Sequence, residues 1–447
     1  IQRINNMNIS LLQVLNAPLF ENVKILSGRA GLGRIVKRAS VFDAPFKEDV
    51  LEKDILAPGD FFITSLLQFQ PKSEELMQVL ALLVKGNCSG LCVMMEERAE
   101  LFSKEMLAFC EEKQFPVICM REDISYAEKA YRMFVGDLQR SATTRACIFA
   151  TRHEEATVRL MELLEEAGVC AYVGKVCMDR NSPDPLRELD ADTSANATKR
   201  WILACQEKGF SRVKPILTPR FIPTCTDELM EHLSEIQKQY QLPMQSHLSE
   251  NIGEIAWVKE LCPWSESYGE AYEHFGLFGK EVPTIMAHCV HSTKEEREKM
   301  LNNGVFIAHC PQSNTNLSSG IAPVRVYLEE NHRIGLGSDI AGGASLSIFR
   351  AMTDAIQMSK MRWRLVNEEE KPVTVEEAFF MGTKGGGAFF GNVGSFEPGY
   401  EADILVLDES RIPSVEKLTV RDRLERFLYL CTDADVKEKY VAGEKLF

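Results

Sequence analysis

From residue 146 onward, short apolar runs recur with amphipathic segments between them, and this alternation restricts the chain more than any other feature. The runs span 146–150, 171–176, 213–217, 243–247, 284–288, 305–309 and 334–336. Strand-like runs separated by helical periodicity are the signature of parallel β/α units, which close into a barrel when eight occur in succession. Seven are present, one short of closure. In such barrels the chemistry sits where the strands end, so the residues that follow each run are the first place to look for function.

Residues 8–121 have a different rhythm and read as a small α/β module. Helical spacing predicts a helix over 73–85 and another over 100–113, with apolar strands at 91–95 and 116–120. A β-α-β order predicts a parallel pair. The glycine-rich stretch "GRAGLGR" beginning at Gly28 could cradle an anion, but no phosphate-binding helix pattern follows, so a tight turn is expected. Residues 1–6, ahead of Met7, are given no role.

Composition narrows the partners. A formal net charge of -14 repels nucleic acid and anionic membrane alike, which leaves a small neutral ligand as the expected partner. No apolar stretch approaches the roughly 20 residues of a membrane helix. The 13 cysteines are scattered and follow no secretory leader, so reduced thiols and a cytoplasmic location are expected.

Five strand ends carry polar residues of types that belong together in metal-assisted hydrolysis. "QSHLSEN" places His247 at a strand end with Glu250 beside it, an imidazole that can hold a metal and a carboxylate that can move protons. "IMAHCVH" places His288 at the next strand end, "IAHCPQSN" places His309 after that, and "GLGSDIAGG" places Asp339 at the last. "KPILTPRF" adds Arg220, a planar cation suited to a carbonyl oxygen, and Phe221, an aromatic face for a flat ring. Phe221 could equally be a core aromatic, Arg220 a salt-bridge partner, and His309 a brace for the loop 311–314. His153, His232, His274, His291 and His332 are expected at the surface.

"VGKVCMDRNSPD", "SRVKPILTPRF", "QSHLSEN", "AHCPQSN" and "GLGSDIAGG" together resemble the corresponding blocks of guanine deaminases in the amidohydrolase superfamily, over residues 123–447. The resemblance implies hydrolytic deamination of guanine to xanthine and ammonia by a zinc-bound water. It makes His247 and Asp339 zinc ligands, with His288 a possible third. It makes Glu250 the proton carrier, His288 the residue that orients the water, and Arg220 and Phe221 the purine holders, with His247 and Glu250 also facing substrate and Asp339 taking part in catalysis. It implies a homodimer as well. The family begins its barrel with a strand ending in His-x-His, and no His-x-His occurs in this sequence. The zinc site is therefore expected to be weakened, since a catalytic zinc takes about three protein ligands.

The first part of the chain is similar to the N-terminal domain of PucR-type purine-catabolism regulators. "VKILSGRAGLGRIVKRASVFDAP", "DILAPGDFFITS" and "CEEKQFPVICM" carry that similarity. The expected organisation is an α/β regulator-type domain over 8–121, a TIM-type (β/α) barrel lacking its first strand over 122–390, and remnant β-domain strands over 391–447, among them "GSFEPGYEADILVLD". The strand 116–120 could fill the vacant barrel slot or stay in the sheet of the N-terminal module. A gene fusion with its join at 121–127 would account for both halves. The alternatives to an active enzyme are a non-catalytic purine-binding or regulatory protein and an inactive fusion product.

Overall fold

The computed structural model describes residues 9–16, 20, 23–41, 56–64, 66, 69, 72–94, 96–120 and 126–447. The expected join at 121–127 therefore lies mostly outside the described residues, as does the end of the 91–95 run. The chain divides into two units, Ile1–Ala130 and Tyr131–Phe447.

In the first unit five strands form one sheet. They are β1 (Val23–Ser27), β2 (Arg38–Val41), β3 (Asp60–Thr64), β4 (Gly90–Val93) and β5 (Val117–Met120), in the order β1-β5-β4-β3-β2. All neighbours are parallel except β1 with β5. The helix Glu74–Lys85 is capped by Ser73, whose hydroxyl accepts from the Leu76 amide, and it buries Leu76, Val79, Leu80 and Leu83. The helix expected over 100–113 starts later, at Lys104. Ser103 caps it there, and the preceding residues Glu96–Leu101 wind as a 3-10 turn.

Two expectations are resolved in this unit. The β5 strand has partners on both sides, β4 and β1, so it stays in this sheet and does not fill a barrel slot. The glycine-rich stretch is a tight 3-10 turn, Arg29–Gly33. Gly28 has φ +71°, a Cβ there would lie 2.0 Å from the Phe115 carbonyl oxygen, and its amide donates to Glu111 of the same unit at 2.6 Å.

The second unit holds seven parallel strands in barrel order: β6 (Arg145–Phe149), β7 (Cys170–Gly174), β8 (Val213–Pro215), β9 (Met244–Leu248), β10 (Thr284–His288), β11 (Phe306–His309) and β12 (Arg333–Leu336). They pair as a group of three and a group of four. A parallel bridge between Leu217 and Met244 joins the groups into one wall. Among the described residues β6 and β12 each have a strand on one side only.

Side chains alternate along these strands. Ala171, Val173, Val213, Met244, Met286, Ile307 and Ile334 face the helices and enter the large core. Cys147, Tyr172, Ile285 and Phe306 face the other way and pack with Ile216, Phe389 and Phe390. The helix Glu154–Glu166 buries Leu160, Met161 and Leu164 against this wall. Between β12 and the segment that follows the barrel there is no room for a side chain, because a Cβ on Gly335 would lie 2.6 Å from the Gly386 Cα.

The strands β13 (Ile404–Leu407), β14 (Val436–Val441) and β15 (Glu444–Lys445) form a small antiparallel sheet. Arg145 anchors it to the barrel through Asp403 at 2.9 Å and Glu401 at 2.6 Å. From β14 the Lys439 ammonium donates to the carbonyls of Leu138, Gln139, Ser141 and Thr143.

One histidine departs from expectation. His332 is buried, not at the surface, because the turn into β12 packs it edge-on against Tyr327 while its Nε2 meets Glu330 at 3.1 Å. No helix among the described residues is long and apolar enough to cross a membrane.

Candidate active site at the strand ends

The β9 strand sets the first group. Ser246 is buried and its hydroxyl donates to the Pro219 carbonyl, while Tyr272 donates to the His247 carbonyl, so the strand end is held from both sides. His247 places Nδ1 2.6 Å from the Arg220 carbonyl oxygen. A carbonyl only accepts, so Nδ1 carries the proton and Nε2 is left with its lone pair. Desolvation in the cleft, and then the neighbouring His288, push the His247 pKa down to about 4. It is neutral near pH 7.

The next strand, β10, delivers His288, which is buried at 1% exposure. Its ring stacks on His247 with centroids 5.4 Å apart and planes 16° from parallel. Nδ1 lies 2.8 Å from the Asn314 side-chain oxygen. Nε2 faces two carboxylates, Glu250 at 3.7 Å and Asp339 at 4.0 Å. Glu250 also accepts a hydrogen bond from Ser319 at 2.7 Å.

These groups sit on strained backbone. Ser249, His288, Cys289 and Asp339 all have positive φ, between 44° and 73°. Non-glycine residues enter that region at a cost of order 1–3 kcal/mol each, and such strain gathers where side chains must converge on one point. Beside Asp339, a Cβ at Gly342 would lie 2.6 Å from the Asp339 carboxylate and 2.7 Å from the Ser313 hydroxyl. Glycine is what lets the chain pass here.

On the cleft's other wall the Arg220 guanidinium lies over the Phe221 ring at 5.0 Å. Phe221 meets His247 and Trp257 edge-on, each at 6.3 Å, and is not part of the barrel core. Phe149, at the end of β6, packs against His247 at 4.8 Å.

Sequence reasoning singled out His247, Glu250, His288, Asp339, Arg220 and Phe221, and the fold brings them to the same end of the strands. His309 ends β11 and is buried with neither ring nitrogen bonded to protein; burial pushes its pKa down to about 3. It therefore does not brace 311–314 through its side chain. Three residues were missed: Asn314, Ser319 and Glu254. Glu254 lies in the first turn of the helix Ile252–Leu261, and burial raises its pKa to about 7. A polar residue at a position that helical spacing buries was the available signal for Glu254. Asn314 lies in the short helix Pro311–Asn316 and Ser319 in the connection after it, a stretch too short for periodicity to be read.

The donor set was tested against a catalytic zinc. His247 and His288 each commit Nδ1 elsewhere, which leaves two Nε2 atoms and the Asp339 carboxylate. Among the described residues no three His, Cys, Asp or Glu side chains are arranged to hold a metal ion. These three donors are not drawn together as the three-ligand site that a catalytic zinc takes.

Parallel barrel strands ending in this His-His-Asp-Glu cluster define a class. Residues 98–446 match the amidohydrolase family, and the chain belongs to it. Within that family the relatives that it matches over about three quarters of its length include guanine deaminases. The Dictyostelium discoideum guanine deaminase is 40% identical over 348 residues, 76% of this chain and 76% of that protein. The guanine deaminase of C. acetobutylicum, solved with guanine bound in its active site, is similar with a TM-score of 0.69 and 48% identity, over 73% of this chain and 77% of that one. An adenosine deaminase from Xanthomonas campestris with bound zinc shares the fold at a TM-score of 0.61 and 20% identity, over 72% of this chain and 70% of that one. Residues 13–133 match the purine catabolism regulatory protein-like family.

Proposed function

We propose that this chain carries a guanine site whose reaction is hydrolytic deamination to xanthine and ammonia. The observation that carries the reading is the convergence of Glu250, Asp339 and the Nε2 of His288 beside the Arg220–Phe221 wall. It is supported by the 48% identity to a guanine deaminase solved with guanine bound.

In this reading Phe221 stacks on the purine and Arg220 holds its carbonyl oxygen, a charge-assisted contact that orients the ring. The lone pair on His288 Nε2 accepts a hydrogen bond from the attacking water and turns it toward the amidine carbon. Glu250 takes a proton from that water as its oxygen bonds the amidine carbon and delivers it to the ring nitrogen; it then takes the proton of the new hydroxyl and passes it to the amine, so that the C–N bond breaks, ammonia leaves and the xanthine carbonyl forms. Asp339, 4.0 Å from the same Nε2, faces the same water. His247 stays neutral and forms the floor beneath the base.

Zinc is the cofactor that the family resemblance implies, with His247 and Asp339 as ligands and His288 as a third. Because these donors are not drawn together as a metal site, turnover is expected far below the roughly 10 s⁻¹ typical of enzymes. A second reading is guanine binding without turnover. A homodimer and a cytoplasmic location complete the proposal; the latter agrees with 13 cysteines that are all unpaired.

Ammonia release and guanine loss, measured beside guanine binding by calorimetry, test the proposal. Stoichiometric xanthine and ammonia support deamination. Binding with no ammonia assigns the second reading, and absence of both removes guanine as the ligand.

A further inference from the structure

We infer that the segment following β11, residues 311–320, is a positioning bracket that fixes His288 and Glu250 together, through Asn314 and Ser319. The inference rests on the reading that His288 and Glu250 are the reacting pair, and it assigns two residues that this reading does not use.

Asn314 is 2% exposed, and its side-chain oxygen lies 2.8 Å from His288 Nδ1. An amide oxygen only accepts, so this contact places a proton on Nδ1, and in the neutral ring that leaves the lone pair on Nε2. That choice decides what His288 can do. With the proton on Nε2 it would donate to the carboxylates of Glu250 and Asp339. With the lone pair there it accepts from a water or ligand held between them.

Ser319 is buried, and its hydroxyl donates to Glu250 Oε1 at 2.7 Å. One carboxylate oxygen is thereby held and the other, Oε2, is left facing His288 Nε2 at 3.7 Å. The two contacts are joined through the backbone, because the amides of Ser319 and Gly320 both donate to the Asn314 carbonyl, at 2.9 and 3.4 Å. His291 secures the far end by donating from Nε2 to the Ser319 carbonyl at 2.7 Å. One short segment thus sets the tautomer of one group and the rotamer of the other, in the manner of outer partners that orient the groups in direct contact with substrate.

The test is nuclear magnetic resonance of the full chain at fixed pH, with 15N-histidine and 13C-carboxyl glutamate labels. His288 and Glu250 are assigned from the loss of their signals in H288Q and E250Q. Wild type is expected to show His288 as the Nδ1–H tautomer. N314L is expected to move it toward Nε2–H, and N314D, which keeps an acceptor, to restore it. S319A is expected to shift the Glu250 carboxyl resonance and S319T to return it. If N314L does not fold, N314S, whose hydroxyl is too short to reach, takes its place.

An unchanged His288 tautomer in N314L or N314S, or an unchanged Glu250 signal in S319A, overturns the bracket. These readouts need no turnover, so a chain that fails to deaminate guanine would defeat the proposed function while still deciding this inference. Where turnover is measurable, S319A is expected to lower kcat about tenfold with little change in KM, the cost of one charge-assisted hydrogen bond.

Discussion

The imidazoles of His247 and His288 lie face to face, 5.4 Å between centroids, and each has its Nδ1 committed to a fixed acceptor, the Arg220 carbonyl for one and Asn314 for the other. Two rings, each with a proton fixed on Nδ1, therefore share one wall of the cleft. The consequences differ for each residue around them.

Arg220 is exposed and lies over Phe221, so its removal leaves the fold intact while taking away the cation proposed to hold the base. R220A should weaken guanine binding by about 10- to 100-fold, the range for a hydrogen bond to a charged group. R220K should recover part of this, since an ammonium lacks the planar fork. Titration calorimetry with guanine provides the check, and equal affinity in R220A and wild type would remove Arg220 from the site.

Glu250 is assigned to proton transfer. E250Q keeps the shape and the contact with Ser319 but cannot carry a proton, so kcat should fall by roughly 10²–10⁴ while guanine affinity changes little. A loss confined to affinity would make Glu250 a binding residue only.

Glu254 gives a pH signature in stability. Burial raises its folded pKa to about 7, above its ordinary value near 4.3. The folded state then holds the proton more tightly than the unfolded state, so this contribution is fully present below about pH 4 and is lost as pH rises through 7. E254Q cannot ionise. Its stability relative to wild type should grow across that window and level off above it, by about 3 kcal/mol at about 1.4 kcal/mol per unit. Denaturant unfolding at pH 5 and pH 8 measures the difference.

Lys439 joins the terminal sheet to the end of the helix Tyr126–Arg140 and the turn after it, and its ammonium donates to four carbonyls. K439M keeps most of the side-chain volume and removes every donor. The orphaned carbonyls should cost about 2–4 kcal/mol, with the melting temperature lowered accordingly. A melting curve superposing on wild type would contradict this.

Metal removal should do little to stability. A preformed site with three converging ligands would couple zinc strongly to folding, whereas among the described residues the candidate donors do not converge in that way. Adding zinc to chelator-treated protein should raise the melting temperature by less than ~2 °C, since a shift of that size corresponds to under about 1 kcal/mol. A large, saturable rise abolished by H247A would show a complete site.

What the amino-acid sequence determined by itself was the periodic part. Period-two and period-3.6 apolar patterns are local, and seven barrel strands and the helices between them are legible because each must bury one side whatever lies opposite. His247, His288 and Asp339 are legible for a related reason: a polar residue that interrupts an apolar run at its end needs a use. The tertiary structure alone decided the rest. Whether 116–120 would pair with β4 and β1 or enter the barrel depends on which strand edges are free. The burial of His332 and the reach of Asn314 and Ser319 to His288 and Glu250 join residues distant in sequence. Hydrogen bonds of that kind leave no periodic trace, because one side chain meeting one acceptor across the fold imposes no pattern on its neighbours in the chain.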